Sequence, residues 1–116
     1  METSILTSIK KLLGIEEDYT HFDPDIIIHI NSAFFRLNQI GVGPAAGFRI
    51  EDKVSKWEDF LGERLDLESI KSYIYLKTRL VFDPPQMGYL VDAIKDQIKE
   101  LEWTLNVQVE GGNVKW

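Results

Sequence analysis

Residues 23–41 read DPDIIIHINSAFFRLNQIG, and the fold class turns on how this stretch is read. Asp23 is a cap-type residue, and Pro24 suits the first helical turn, where its missing N–H has no intrahelical partner. Asp25 adds a negative charge at the positive end of the helix dipole. Ile27, Ile30, Phe34 and Leu37 then recur at spacings of three and four, until Gly41 stops the helix. Ile26, Ile28 and Phe35 widen the apolar surface beyond one stripe, so the predicted helix is covered on more than one side.

Working outward, Thr3 or Ser4 caps a short helix over residues 4–13, with Ile5, Ile9, Leu12 and Leu13 at helical spacing and Gly14 as its left-handed stop. From Gly41 comes a loop, residues 41–50, with three glycines and a proline in its first seven positions and an extended end expected at Phe48, Arg49 and Ile50. A two-turn helix is predicted over residues 56–61, capped by Ser55 with Glu58 three residues on and ended by Gly62. Asp66 caps the next helix, whose stripes Leu67, Ile70, Ile74 and Tyr73, Leu76, Leu80 run to Asp83-Pro84-Pro85 and make it the expected centre of the domain. The last helix starts near Gln86 and carries a seam of Met87, Val91, Ile94, Ile98, Leu101 and Leu105. Its other face is charged, with three-apart pairs such as Asp92 and Lys95 that signify a solvated surface. Past Asn106 the alternation of Val107, Gln108, Val109 and Glu110 has strand period before Gly111-Gly112. The predicted architecture is all-α: a small bundle of four to five helices with a long Gly/Pro loop. Residues 1–106 form a single domain, and residues 107–116 form a short extended or flexible C-terminal tail.

Composition narrows the function classes. At 116 residues, 44% hydrophobic and 28% charged, the chain matches one ordinary domain with a core of its own and needs no cofactor or metal to fold. Its net charge is −6, with charges dispersed, the opposite of what a phosphate-backbone binder carries. The absence of cysteine removes disulfides, thiolate metal sites and thiol nucleophiles. Residues 1–13 lack the continuous apolar core of a signal peptide, and residues 26–30 are far too short a run to span a bilayer, so a soluble, non-secreted protein that fits a reducing cytoplasm and has no membrane partner is expected.

Chemistry-bearing residues were weighed against simpler roles. His21 and His29 flank the Asp23-Pro24 helix start without HExxH spacing, and are ordinary loop and helix-flank histidines on this reading. Glu16, Glu17, Asp18, Asp23 and Asp25 lack the register and central glycine of an EF-hand loop, and read as a solvated turn plus helix capping. Ser55 and Ser72 sit in no Gly-x-Ser-x-Gly elbow. The glycine loop lacks the GxxxxGK[ST] pattern, so Gly41, Val42, Gly43, Pro44, Gly47, Phe48 and Arg49 read as an interface loop rather than a phosphate cradle. Trp103 lies outside the Leu101–Leu105 seam, and tryptophan off the core points to a binding interface. Trp116, with Val107 and Val109 before it, joins the candidate partner contacts. No catalytic, cofactor or metal residue emerges, and the chain does not read as an enzyme.

Two stretches carry a family resemblance. Residues 25–49, DIIIHINSAFFRLNQIGVGPAAGFR, and residues 70–106, IKSYIYLKTRLVFDPPQMGYLVDAIKDQIKELEWTLN, resemble the small head–tail connector proteins of tailed bacteriophages and prophages. INSAFFRLNQIGVGP, IYLKTRLVFDPP and AIKDQIKELEW are distinctive in order and spacing, whereas residues 51–68 and those past Glu110 match least. The resemblance implies a non-catalytic virion protein at the head–tail interface. Its implied partners are the portal protein, neighbouring copies in a ring (a dodecamer when assembled), and the next connector or tail protein. DNA passes through the channel without specific binding. The alternative is a small helical regulatory or inhibitory protein that binds one partner through the seam of its last helix.

Overall fold

The computed structural model describes residues 3–61 and 67–110. It contains five helices: α1 (Ile5–Leu12), α2 (Asp23–Gln39), α3 (Trp57–Leu61), α4 (Leu67–Phe82) and α5 (Gly88–Glu110). Among the described residues the only β pairing is an isolated bridge between Ser4 and Lys56, so the all-α class stands. That bridge ties the N-terminus to the approach to α3, with Ile5 N–H donating to Ser55 O and Trp57 N–H donating to Thr3 O, both at 3.0 Å.

Helices α1 and α2 end as their glycines predict. Gly14 has φ +81°; its N–H donates to Lys11 O, and the Ile15 N–H donates to Lys10 O. Gly41 has φ +84°; its N–H donates to Asn38 O, and the Val42 N–H donates to Leu37 O. Both are Schellman closures, which need a left-handed residue and satisfy the last carbonyls of the helix. In the second, the residue after the glycine, Val42, is driven into the core.

Three local readings are corrected. Asp23 does not cap α2: it is the first helical residue, and its carboxylate lies 2.9 Å from Lys10 Nζ. The cap of α3 is shifted by one residue, because Asp59, not Glu58, reaches back to the Lys56 N–H (2.8 Å) while Ser55 is engaged with α1. The third concerns the C-terminal tail. Val107, Gln108, Val109 and Glu110 continue α5 rather than turning extended, so the expected boundary after Asn106 falls inside a helix. Adding residues to an existing helix gains one hydrogen bond per residue, whereas a four-residue strand gains nothing without a partner strand. Residues 111–116, and the expected signals at Gly62 and Asp66, lie outside the described residues.

Helix α4 is the hub, packing against α1, α2 and α5. Ile70, Tyr73 and Ile74 are fully buried, and meet Ile26, Ile30, Ala33, Phe34 and Leu37 from α2 in one continuous core. From α5, Ile94, Ile98 and Leu105 are buried in that core, Leu101 packs at its edge, and Met87 is exposed. The seam of the last helix is thus taken up within the molecule over most of its length.

Lys10 has a role the sequence did not disclose. Its side chain is 2% exposed, and Nζ donates to Glu17 O (2.9 Å) and Tyr19 O (2.8 Å) while pairing with Asp23. An ammonium has three donors and is costly to bury without partners for them. Here two carbonyl oxygens from the α1–α2 connection and the carboxylate that opens α2 meet it, and one side chain fixes where α2 begins.

Candidate assembly surface

Residues 41–50 run back along α2 instead of standing away from it. Two asparagines one heptad apart on α2 hold them. Asn31 grips Ile50 from both sides, with Nδ2 donating to Ile50 O (2.9 Å) and Oδ1 accepting from Ile50 N–H (2.7 Å). Asn38 Nδ2 donates to Pro44 O (3.1 Å), and the Gly47 N–H closes a turn on the same carbonyl (2.8 Å). The backbone approaches this closely because Gly43 and Gly47 take φ +100° and +88°.

The candidate loop residues therefore divide. Val42 and Ile50 are buried, and Gly43 is buried against the Phe60 ring. Phe48 is half-buried, stacked edge-on against Phe34 and Phe60 at centroid distances of 4.9 and 5.2 Å. Pro44 and Gly47 are half-buried, while Gly41 and Arg49 are exposed. The loop expected to be little used by a single copy has an inner side that belongs to the core.

Its outer side forms a groove. Between α2 and residues 46–49 lies a cleft of about 540 Å³ walled by Ile28 and Phe35, which are 61% and 64% exposed, with Asn31, Asn38 and Phe48 beneath and Arg49 on the rim. Arg49 is its one charged lining residue among those described. On sequence alone Ile28 and Phe35 only widen the covered apolar surface of α2, whereas the structure leaves both exposed; Asn31 and Asn38 are not singled out there.

Trp103 is 68% exposed on α5, as its place off the seam predicts, and Val107 one turn on is 41% exposed. Tyr89, in the first turn, is 69% exposed. Val109 lies in the last turn of α5, and Trp116 is outside the described residues. The structure thus separates the candidates into a loop-and-α2 surface and an α5 surface.

A polar link joins three helices beneath. Tyr73 Oη donates to Glu102 Oε2 at 2.6 Å, and the Arg36 guanidinium forks onto the same carboxylate at 3.3 and 3.4 Å. Burial, then the bond to Glu102, pushes the Tyr73 hydroxyl well above the usual tyrosine range. For Glu102, burial works against the charge, but the hydrogen bonds from Tyr73 and Arg36 outweigh it and hold the carboxyl below its ordinary value. The group is a structural clamp, since an acid kept charged and a phenol kept neutral are each locked in one protonation state.

The other polar residues stand apart from these surfaces. His21 packs edge-on against Phe22 at 5.0 Å, His29 lies 6.4 Å from Phe82, and Ser72 sits in a cleft between α4 and α5. Among the described residues, no three His, Cys, Asp or Glu side chains converge to hold a metal ion, and no helix is long and apolar enough to cross a membrane.

A family model described as phage connector protein matches residues 5–112. No curated protein and no solved structure matches the chain.

Proposed function

Since the chain belongs to the phage connector protein family, we propose that it is a head-completion adaptor of a tailed phage: identical copies form a ring beneath the portal, extend the DNA channel and offer a docking surface to the next connector or tail protein. The observation that carries this reading is the family match over residues 5–112, which takes in every described helix. Two physical features support it. The net charge of −6 suits a channel wall that lets DNA pass without holding it. Exposed aromatic and aliphatic side chains lie on several elements, Phe35 on α2 and Trp103 on α5 among them, as expected of a subunit with more than one neighbour. The regulatory alternative needed the α5 seam for a partner, and Ile94, Ile98 and Leu105 are buried in the chain's own core.

The test is negative-stain imaging of DNA-filled, portal-bearing heads that lack this component, mixed with the purified chain. Added ring density at the portal vertex is the expected result and gives the subunit number. Heads that remain bare, with a folded sample and heads competent for tail joining, overturn the proposal.

A further inference from the structure

We infer that neighbouring copies of this chain join by laying the outward stripe of α5 from one copy into the α2–loop groove of the next, with Trp103 as the anchor. This rests on the connector reading and supplies the contact it leaves unspecified.

The stripe is Tyr89, Ala93, Asp96, Glu100, Trp103 and Val107, spaced four, three, four, three and four, so one face of α5 carries all six. Every one is exposed. The stripe is a second heptad-like face beside the buried seam, with aromatic and aliphatic residues toward its ends and two carboxylates between them. Helix α5 packs on α4 through another face, Ile94, Ile98 and Leu105, and of the stripe only Glu100 borders the cleft between the two helices.

The groove is complementary in polarity and charge: Ile28, Phe35 and Phe48 offer apolar surface to Trp103 and Val107. Its charged lining residue is a cation, Arg49, and the stripe carries only anions. Asn31 Nδ2 and Oδ1 and Asn38 Nδ2 already have backbone partners, so covering these atoms strands none of them. Trp103 beside Phe35 and Phe48, with Asp96 or Glu100 against Arg49, is an aromatic anchor ringed by polar groups, the usual anatomy of an interface hot spot.

The two surfaces are different, which decides the kind of assembly. The groove belongs to α2 and the stripe to α5, the helices that each pack on α4. A contact joining unlike surfaces leaves a free groove at one end of every dimer and a free stripe at the other, so it propagates, and it forms a ring where the rotation from copy to copy closes. A self-complementary patch stops at two copies.

The chain has no cysteine, so introduced thiols report alone. Ala46→Cys places one at the groove and Lys99→Cys places one on α5 a turn before Trp103, both at exposed positions. With portal-bearing heads and a short bismaleimide, the doubly substituted chain is expected to give a ladder of multimers, whereas the two single variants mixed stop at dimers. Trp103→Ala is expected to lower head occupancy roughly 30-fold with unchanged helical circular dichroism and melting. Arg49→Glu is expected to impair ring formation, and adding Glu100→Arg in the same chain to restore it. If wild-type rings form on the heads while the double variant gives no ladder and Trp103→Ala assembles normally, the inference is overturned and the connector reading stands. Crosslinks running to the portal or a tail protein instead of to a second copy overturn it equally. If wild-type chain forms no ring, the connector reading itself fails.

Discussion

Gly43 is where the loop's path and the core meet, and replacing it with alanine gives a sharp stability prediction. Its φ of +100° is outside the region that L side chains adopt, and a Cβ built there falls 2.7 Å from Phe60 Cε1 and 3.0 Å from Cζ. The Phe60 ring cannot swing clear at little cost: it is 4% exposed and packed against Phe34 and Phe48 at 4.8 and 5.2 Å. Backbone strain for a non-glycine residue in such a conformation costs about 1–2 kcal/mol. Inserting a methyl group into a filled core adds about 1–3 kcal/mol, for a total of about 2–5 kcal/mol. Unfolding entropy of about 2.1 cal/mol/K per residue means that each kcal/mol moves Tm by about 4 °C in a chain of 116 residues. Gly43→Ala is therefore expected to lower Tm by about 8–20 °C. Gly47→Ala is the matched control, since Gly47 also has positive φ, +88°, but nothing lies within 4 Å of its added Cβ. It should show the backbone cost alone, about 4–8 °C. Thermal melts of both variants by circular dichroism decide the matter. Adding Phe60→Leu tests the clash directly: the double variant is expected to be at least about 1 kcal/mol more stable than the sum of the single effects. Two glycine variants melting within about 2 °C of each other, with no coupling to Phe60→Leu, would refute the packing argument.

Three other perturbations have worked-out signs. Thr78 is fully buried and its hydroxyl has no hydrogen-bond partner among the described residues, so the nearly isosteric Thr78→Val is expected to raise stability by about 1 kcal/mol, read from the urea midpoint. Lys10→Met removes the cation that holds Glu17 O, Tyr19 O and Asp23, and a loss of about 3 kcal/mol is expected in urea denaturation. The Tyr73–Glu102–Arg36 clamp predicts a pH profile. Because the folded Glu102 carboxyl titrates below its ordinary value, its contribution is present above the usual carboxylate range and is lost as pH falls through the lowered folded value. Tyr73 acts at the other end, since its folded hydroxyl titrates above its ordinary value of 10.0 and its contribution declines as pH rises past that value. Urea midpoints across pH should show both limbs in the wild type, a flatter acid limb in Glu102→Gln, and a flatter alkaline limb in Tyr73→Phe.

Signals local in sequence were legible before the structure. Gly14 and Gly41 announce their helix ends because a Schellman closure requires a left-handed residue, and Ile94, Ile98 and Leu105 announce the buried face of α5 through their spacing. What stayed hidden depends on residues distant in the chain. Nothing local marks Lys10, since only the return of residues 17–23 across α1 supplies the oxygens that make its burial tolerable. Nothing local marks Asn31 and Asn38 either, because the loop backbone they hold arrives six to nineteen residues later. The strand reading of residues 107–110 failed for a different reason: alternation over four residues is also compatible with one helical turn, and the helix already running through Asn106 decides between them.

These hidden contacts bear on how a connector subunit meets its neighbours. A mobile glycine loop that ordered only on assembly would lose conformational entropy at that step, about 1–2 kcal/mol for each residue fixed. In this chain Asn31, Asn38, the buried Val42 and Ile50 and the Phe34–Phe48–Phe60 cluster place that cost in folding. The groove is consequently formed in the single chain, and the proposed contact would have little left to order beyond side chains such as Trp103 and Arg49. The same rigidity makes Gly43→Ala informative twice over. A shift of Phe60 or Phe48 beneath the groove alters its floor, so a variant that still folds at low temperature should also assemble less well, whereas Gly47→Ala retains assembly to the extent that it retains its fold. Loss of stability without loss of assembly in Gly43→Ala would show that the groove floor is not part of the contact.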